Sequence, residues 1–162
     1  MDKGNNKGFS LIELIIAVAI LVVLTGVLAP QMVKYIEKSR ETKDMQLLDS
    51  IYVAVSTALI DEEAYSSFVN IDNSEKEAYS LGKNILEVCE DGDFGAEIES
   101  VLGCKGEEIH LSSKAAIENG NEIFIKIRYD MGDKGISDFK VGVYVGSSAD
   151  KPSKYFRAGS VD

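Results

Sequence analysis

The chain has 162 residues, 45% of them hydrophobic and 27% charged, enough for one domain with a core of its own. Its 17 basic and 27 acidic side chains leave a net charge of −10, which argues against nucleic acid as a partner, because neutralising phosphates takes a basic surface. One histidine and two cysteines leave little material for a histidine metal site, a His-paired nucleophile or a dense disulfide scaffold.

Both averages hide an uneven chain. The first 8 residues carry Lys3 and Lys7, and the run Lys7-Gly8-Phe9-Ser10-Leu11-Ile12-Glu13 leads into 20 consecutive uncharged residues, Leu14 to Val33. As a helix rising about 1.5 Å per residue, that run is roughly 30 Å long, the thickness of a bilayer's hydrocarbon core. It reads as a membrane-spanning segment. Lys3 and Lys7 place the amino terminus in the cytoplasm by the positive-inside rule, with the rest of the chain outside. A cleaved secretory signal ending at Val27-Leu28-Ala29 is the competing reading. The apolar run exceeds the ~7–15 residues of such a signal, however, and Pro30 would sit at the bond to be cut. Glu13 also distinguishes the segment from a plain anchor. A carboxylate at the edge of a spanning helix costs a few kcal/mol (about 2.5–3.5 at mid-helix) if unpaired in lipid, and calls for a named partner.

Gly8, Phe9 and Glu13, followed by an apolar run that ends at Pro30, resemble the processing and assembly signal of type IV prepilins and the related type II secretion pseudopilins. The resemblance covers about the first 30 residues. It implies that a prepilin peptidase cuts between Gly8 and Phe9, so that residues 1–8 are a leader, and that the new amino terminus at Phe9 is N-methylated. It also implies a helical homo-oligomeric filament built with the assembly machinery of the membrane. Physical reasoning gives Phe9 and Glu13 matching roles in assembly. The Phe9 ammonium of one chain pairs with the Glu13 carboxylate of the next, satisfying both charges in an apolar setting and fixing the stagger between chains. Family members often carry a glycine where this chain has Val22; Gly26 is the substitute here. Together with Pro30, which lacks a donor and crowds the preceding turn, Gly26 marks the expected helix softening, a local loss of helix over Gly26–Pro30.

Beyond Pro30 the helix continues. Residues 37–44 are wholly polar, with Arg40 and Asp44 spaced i,i+4 as on a solvated neck, while Met45, Leu48, Ile51, Tyr52, Val55 and Leu59 recur at three and four, the stripe of a packed face. One long helix over 9–60 follows, 9–33 in the membrane or filament core and 34–60 as neck and head-packing half. The head, 61–162, opens at Asp61-Glu62-Glu63 and carries the whole −10; within it residues 61–108 hold 14 acids against 3 bases. Ser74-Glu75-Lys76-Glu77 reads as a capping box opening a helix with Ala78, Leu81, Ile85 and Cys89 on one face. A Gly-rich acidic loop at 90–95 and a short apolar turn ending near Gly103 come next. Ile123, Ile125, Ile127 and Tyr129 alternate with polar residues, as do Phe139, Val141, Val143 and Val145, so both runs read as strands. Ile109, Leu111, Ala115 and Ile117 suggest an earlier strand turning at Asn119-Gly120, although Lys114-Ala115-Ala116 fits a helix equally. The fold class is α+β, a long amino-terminal helix packed against an antiparallel sheet of three or four strands, as in pilins.

Chemistry in the head is sparse. Cys89 and Cys104 enclose 14 residues; outside the cell they could form a disulfide contributing about 3 kcal/mol, the alternative being two reduced thiols. Glu90-Asp91-Gly92-Asp93 and the set Asp130, Asp133 and Asp138 could offer oxygen ligands to calcium, but neither matches an EF-hand loop and solvated acidic turns are the favoured reading, so no metal is assigned and no cofactor is expected. His110 has no second ligand at metal-binding spacing. No catalytic residue is assigned, and the chain reads as no enzyme. The reading is a structural subunit of a type IV pilus, anchored first in the cytoplasmic membrane and then built into an extracellular filament for adhesion, aggregation or motility. A type II secretion pseudopilin or minor pilin is the alternative, and a membrane-anchored sensor or binding module with an incidental Glu13 ranks behind both.

Overall fold

The computed structural model describes residues 8–132 and 135–161, with 130–132 and 135–137 described by backbone alone. Lys3 and Lys7 lie outside the described residues. The chain divides into two compact units, Met1–Lys38 and Ser39–Asp162.

Helix α1 runs over Leu11–Ala58 and passes through Pro30 unbroken. In the single chain the helix is thus continuous over Gly26–Pro30, and the proline there removes the single bond that its missing N–H would have given to the Gly26 carbonyl. Gly26 has no neighbour within 4 Å of where a Cβ would stand, so its side of the helix is open. In the same stretch the Thr25 hydroxyl donates back to the Leu21 carbonyl at 2.7 Å, so a polar group in an apolar run is satisfied within its own helix.

In the second unit α1 buries Leu48, Ile51, Ala54, Val55 and Ala58, the spacing of three and four read from the sequence. Against this stripe lies a four-stranded antiparallel sheet of β1 (Lys83–Asn84), β2 (Glu122–Gly132), β3 (Gly135–Gly146) and β4 (Pro152–Gly159), in the order β1-β2-β3-β4. The register sets Ile123 opposite Val145, Ile125 opposite Val143, and Ile127 opposite Val141. All six are buried, and full burial of each such side chain stabilises the fold by about 1.5–3 kcal/mol. The alternation in both long runs thus marks one inward face.

The helices between α1 and β2 depart further from expectation. Helix α2 (Glu62–Asn70) is capped by the Asp61 carboxylate, which accepts from Glu63 N and Ala64 N at 3.0 and 2.9 Å. Helix α3 (Asn73–Leu81) is capped by Asp72 in place of the expected Ser74 box, with Ser74 N and Glu75 N donating to it at 2.9 and 3.0 Å; a carboxylate is the stronger acceptor for those two amides. The helix expected to reach Cys89 stops at Gly82, whose φ of +125° only glycine adopts easily, and whose Cβ would stand 2.2 Å from the Tyr144 hydroxyl. Leu81 is consequently exposed, and Ile85 and Cys89 belong to a separate helix, α4 (Ile85–Cys89). The acidic loop and apolar turn form helix α5 (Gly92–Leu102). Phe68, Tyr79 and Phe94, from α2, α3 and α5, meet with ring centroids 5.0 to 6.0 Å apart, and this aromatic cluster joins the core.

The earlier strand is also corrected: Lys114–Glu118 is a helix, α6, capped by the Ser113 hydroxyl. Asn119-Gly120 turns the chain from that helix into β2, with φ of +135° at Gly120 and its missing Cβ 2.0 Å from the Gly146 carbonyl carbon. The polar neck is corrected at one residue. Asp44 is only 2% exposed, and its carboxylate accepts from Ser112 N (2.9 Å), Ser112 Oγ (3.0 Å), Ser113 N (2.8 Å) and Ser113 Oγ (2.6 Å). Burial alone would raise its pKa, but these four donors more than offset burial and hold the carboxyl below its ordinary value. A depressed folded pKa contributes stability that is present above the unfolded value and lost as pH falls through the folded one. Asp44→Ala removes the acceptor of four donors, two of them on the buried Ser113, and is expected to cost about 1–3 kcal/mol. In urea titrations of the full chain in detergent the gap between variant and parent should be full at pH 7 and close below pH 4.

Candidate functional site

The functional candidate starts where α1 starts. Gly8, Phe9 and Ser10 precede the helix and are exposed, and nothing lies within 4 Å of a Cβ built on Gly8, so the Gly8–Phe9 peptide is accessible. Phe9 is 89% exposed. The first helical bond runs from Leu14 N to the Ser10 carbonyl at 3.2 Å, and the Glu13 carboxylate reaches back to accept from Ser10 N at 2.8 Å. Ser10-Leu11-Ile12-Glu13 thus carries the reciprocal arm of a capping box. A carboxylate in the first turn also faces the positive end of the helix dipole. Within its own chain, then, Glu13 is held by a backbone amide next to Phe9. The sequence signal for this contact, Ser and Glu three apart ahead of an apolar run, was present but overshadowed by the processing motif.

From Phe9 to Ile36 the large apolar side chains are exposed, and the most hydrophobic 18-residue stretch of α1 has none of its residues buried. Helices of globular proteins bury such a face; one that is apolar all round requires lipid or other protein around it. Gly26 and Pro30 lie along this stretch.

Cys89 and Cys104 belong to the second unit, and both are free, half-buried thiols. Burial pushes the Cys89 thiol up to about 11, with the charges of Glu99 and Cys104 adding to it. A third cluster was invisible in the sequence. Lys83, 8% exposed, places its ammonium 2.6 Å from Glu75 and 2.7 Å from Asp91, with the Tyr79 hydroxyl donating to the same Asp91 oxygen. Burial would lower the Lys83 pKa, but Asp91 and Glu75 outweigh it and the ammonium is held above its usual value. The cluster ties α3 to the start of α5 and keeps each buried charge partnered. Among the described residues no three His, Cys, Asp or Glu side chains converge as a metal would require. Asp133 and the side chain of Asp130 lie outside the described residues.

Comparison with known proteins adds a family. A model of the prokaryotic N-terminal methylation motif matches residues 3–29. The type IV major pilin protein PilA of Myxococcus xanthus is 34% identical over 65 residues, 40% of this chain and 30% of that one. The type IV major fimbrial protein FimA of Dichelobacter nodosus is 34% identical over 106 residues, which cover 65% of this chain and 60% of that protein. Another FimA of that organism is 33% identical over 113 residues and is covered over 67% of its length. The chain belongs to the type IV pilin family. The pilin spans less than two thirds of the length of the first two relatives, and the methylation motif lies wholly in the first unit. No solved structure gives a significant match. For the pilin's head one chemical expectation follows from the buried thiol. In a Cys104→Ser variant, the rate at which a thiol reagent labels Cys89 should rise about tenfold per pH unit from pH 8 to 10 without levelling, because the reactive thiolate stays a minor species until about 11.

Proposed function

We propose that this pilin is made as a precursor in the cytoplasmic membrane, amino terminus inside and head outside. Prepilin peptidase cuts it between Gly8 and Phe9, Phe9 is N-methylated, and the mature chain polymerises into an extracellular filament that serves adhesion, aggregation or motility. Residues 1–8 are the leader, 9–60 the polymerising helix and 61–162 the displayed head. The observation that carries this reading is the exposed apolar stretch of α1 with an acid at its start. Such a surface is insoluble alone and is satisfied either by lipid or by a bundle of identical helices.

Glu13 supplies the reason for order in that bundle. In the free chain its carboxylate has the Ser10 amide; cleavage adds an ammonium one residue away, at Phe9. A Phe9 ammonium from a neighbouring chain is the stronger partner, and the pairing joins two different surfaces, so each subunit offers one end free for the next. Gly26 and Pro30, already one hydrogen bond short, are where packing in the filament melts the helix most cheaply.

Edman sequencing or mass spectrometry of the mature chain is expected to give an N-methylated Phe9 terminus; an intact Met1, or a cut beyond Ala29, overturns the reading. Replacing Gly8 by a bulky residue should leave full-length precursor in the membrane, visible as a chain heavier by its leader. Glu13→Val should insert normally yet lower the yield of sheared fibres at least tenfold, and undiminished fibres would show the charge pair to be dispensable.

A further inference from the structure

Two features of the head lie on opposite edges of the same sheet. Beside β1 a groove of about 510 Å³ opens, with Leu86, Ile109 and Ile117 in its walls and Asn121, Glu107 and Glu122 around them. Leu86 and Ile117 are 47% and 48% exposed, apolar surface that the chain leaves uncovered. At the other edge, β4 presents Tyr155, 79% exposed, between Lys154 and Arg157, which are exposed as well. The contrast in charge is local: two carboxylates at the groove, two cations beside the ring.

We propose that Tyr155 of one head seats in the Leu86–Ile117 groove of a second copy, with Lys154 and Arg157 facing Glu107 and Glu122. The inference rests on the filament reading and names one contact between its heads. A tyrosine suits such a groove because its ring buries a large apolar area while its hydroxyl keeps a polar partner, here the Asn121 side chain. Lone exposed aromatics that fill a pocket are the usual anchors of protein interfaces. The two surfaces differ and sit at opposite edges of the sheet, so the contact is heterologous: a head that gives its tyrosine to one neighbour still has its groove open for another. Chains already gathered by their helices hold the heads at an effective concentration near the millimolar range, which lets a small contact saturate.

The test uses the full chain on cells. With p-benzoylphenylalanine placed at Tyr155, fibres are sheared, irradiated and digested, and the crosslinked peptides are mapped by mass spectrometry. A ladder of crosslinked subunits whose partner peptides fall within residues 84–87 or 106–123 is the expected result. Fibres that form but crosslink elsewhere on the chain, to another protein, or not at all overturn the contact. As a second measure, Lys154→Glu should reduce sheared fibre at least threefold with the membrane pool unchanged, and adding Glu122→Lys should bring the yield back to within twofold of the parent. Lys154→Glu with parental yield, or no recovery in the pair, also overturns it. Absence of fibres from the unsubstituted chain would instead sink the filament reading itself.

Discussion

The apolar surface of α1 between Leu11 and Ile36 is the constraint from which the rest follows. No side chain in that stretch is buried by its own chain, so the remaining free energy of about 25 cal/mol per Å² that burial would release is available only to lipid or to other copies. A head that also needed this surface could not be displayed by it. The core accordingly begins at Leu48, and the roughly two turns of polar sequence ahead of it, 37–44, separate the two requirements along a single helix.

That separation makes Asp44 important for the second unit. It is the point at which a polar stretch becomes a buried one, and it joins α1 to the Ser112-Ser113 corner across a sequence separation of 68 and 69 residues. Ser113 in turn caps α6 through Ala116 N, and α6 leads through the Asn119-Gly120 turn into β2. One carboxylate thus sets where the first central strand starts relative to the stripe it packs on. The Lys83 cluster performs a similar task among the short helices, where Gly82 and the brevity of α4 leave little regular structure to fix the geometry.

What could be read from the sequence was whatever depended on local period or a contiguous motif. Leu48, Ile51 and Val55 announce their face by spacing alone, and Ile123, Ile125 and Ile127 theirs by alternation. Gly8, Phe9 and Glu13 stand within six residues of one another. Strand β4 escaped because Ser153 and Phe156, not alternating residues, point inward, and β1 because two residues carry no period. Helix α5 was hidden by Gly92 and Gly95, residues that favour a loop until the packing of α4 and α5 is known. Asp44 and Lys83 look like ordinary surface charges, since the donors and acceptors that draw them inside are contributed from distant or irregular segments. The Asn119-Gly120 signal was a true turn, but a turn does not specify what precedes it.

The four bonds on Asp44 have a mechanical side. A subunit held by its helix and pulled by its head is loaded along α1, and strain that reaches residue 44 arrives at all four donors together because they end on the two oxygens of one side chain. Bonds loaded in parallel share the force and fail together at a higher load than bonds that open one after another. Under tension this anchor should thus give way in a single abrupt step, after which the buried stripe from Leu48 to Ala58 still holds the helix in the head.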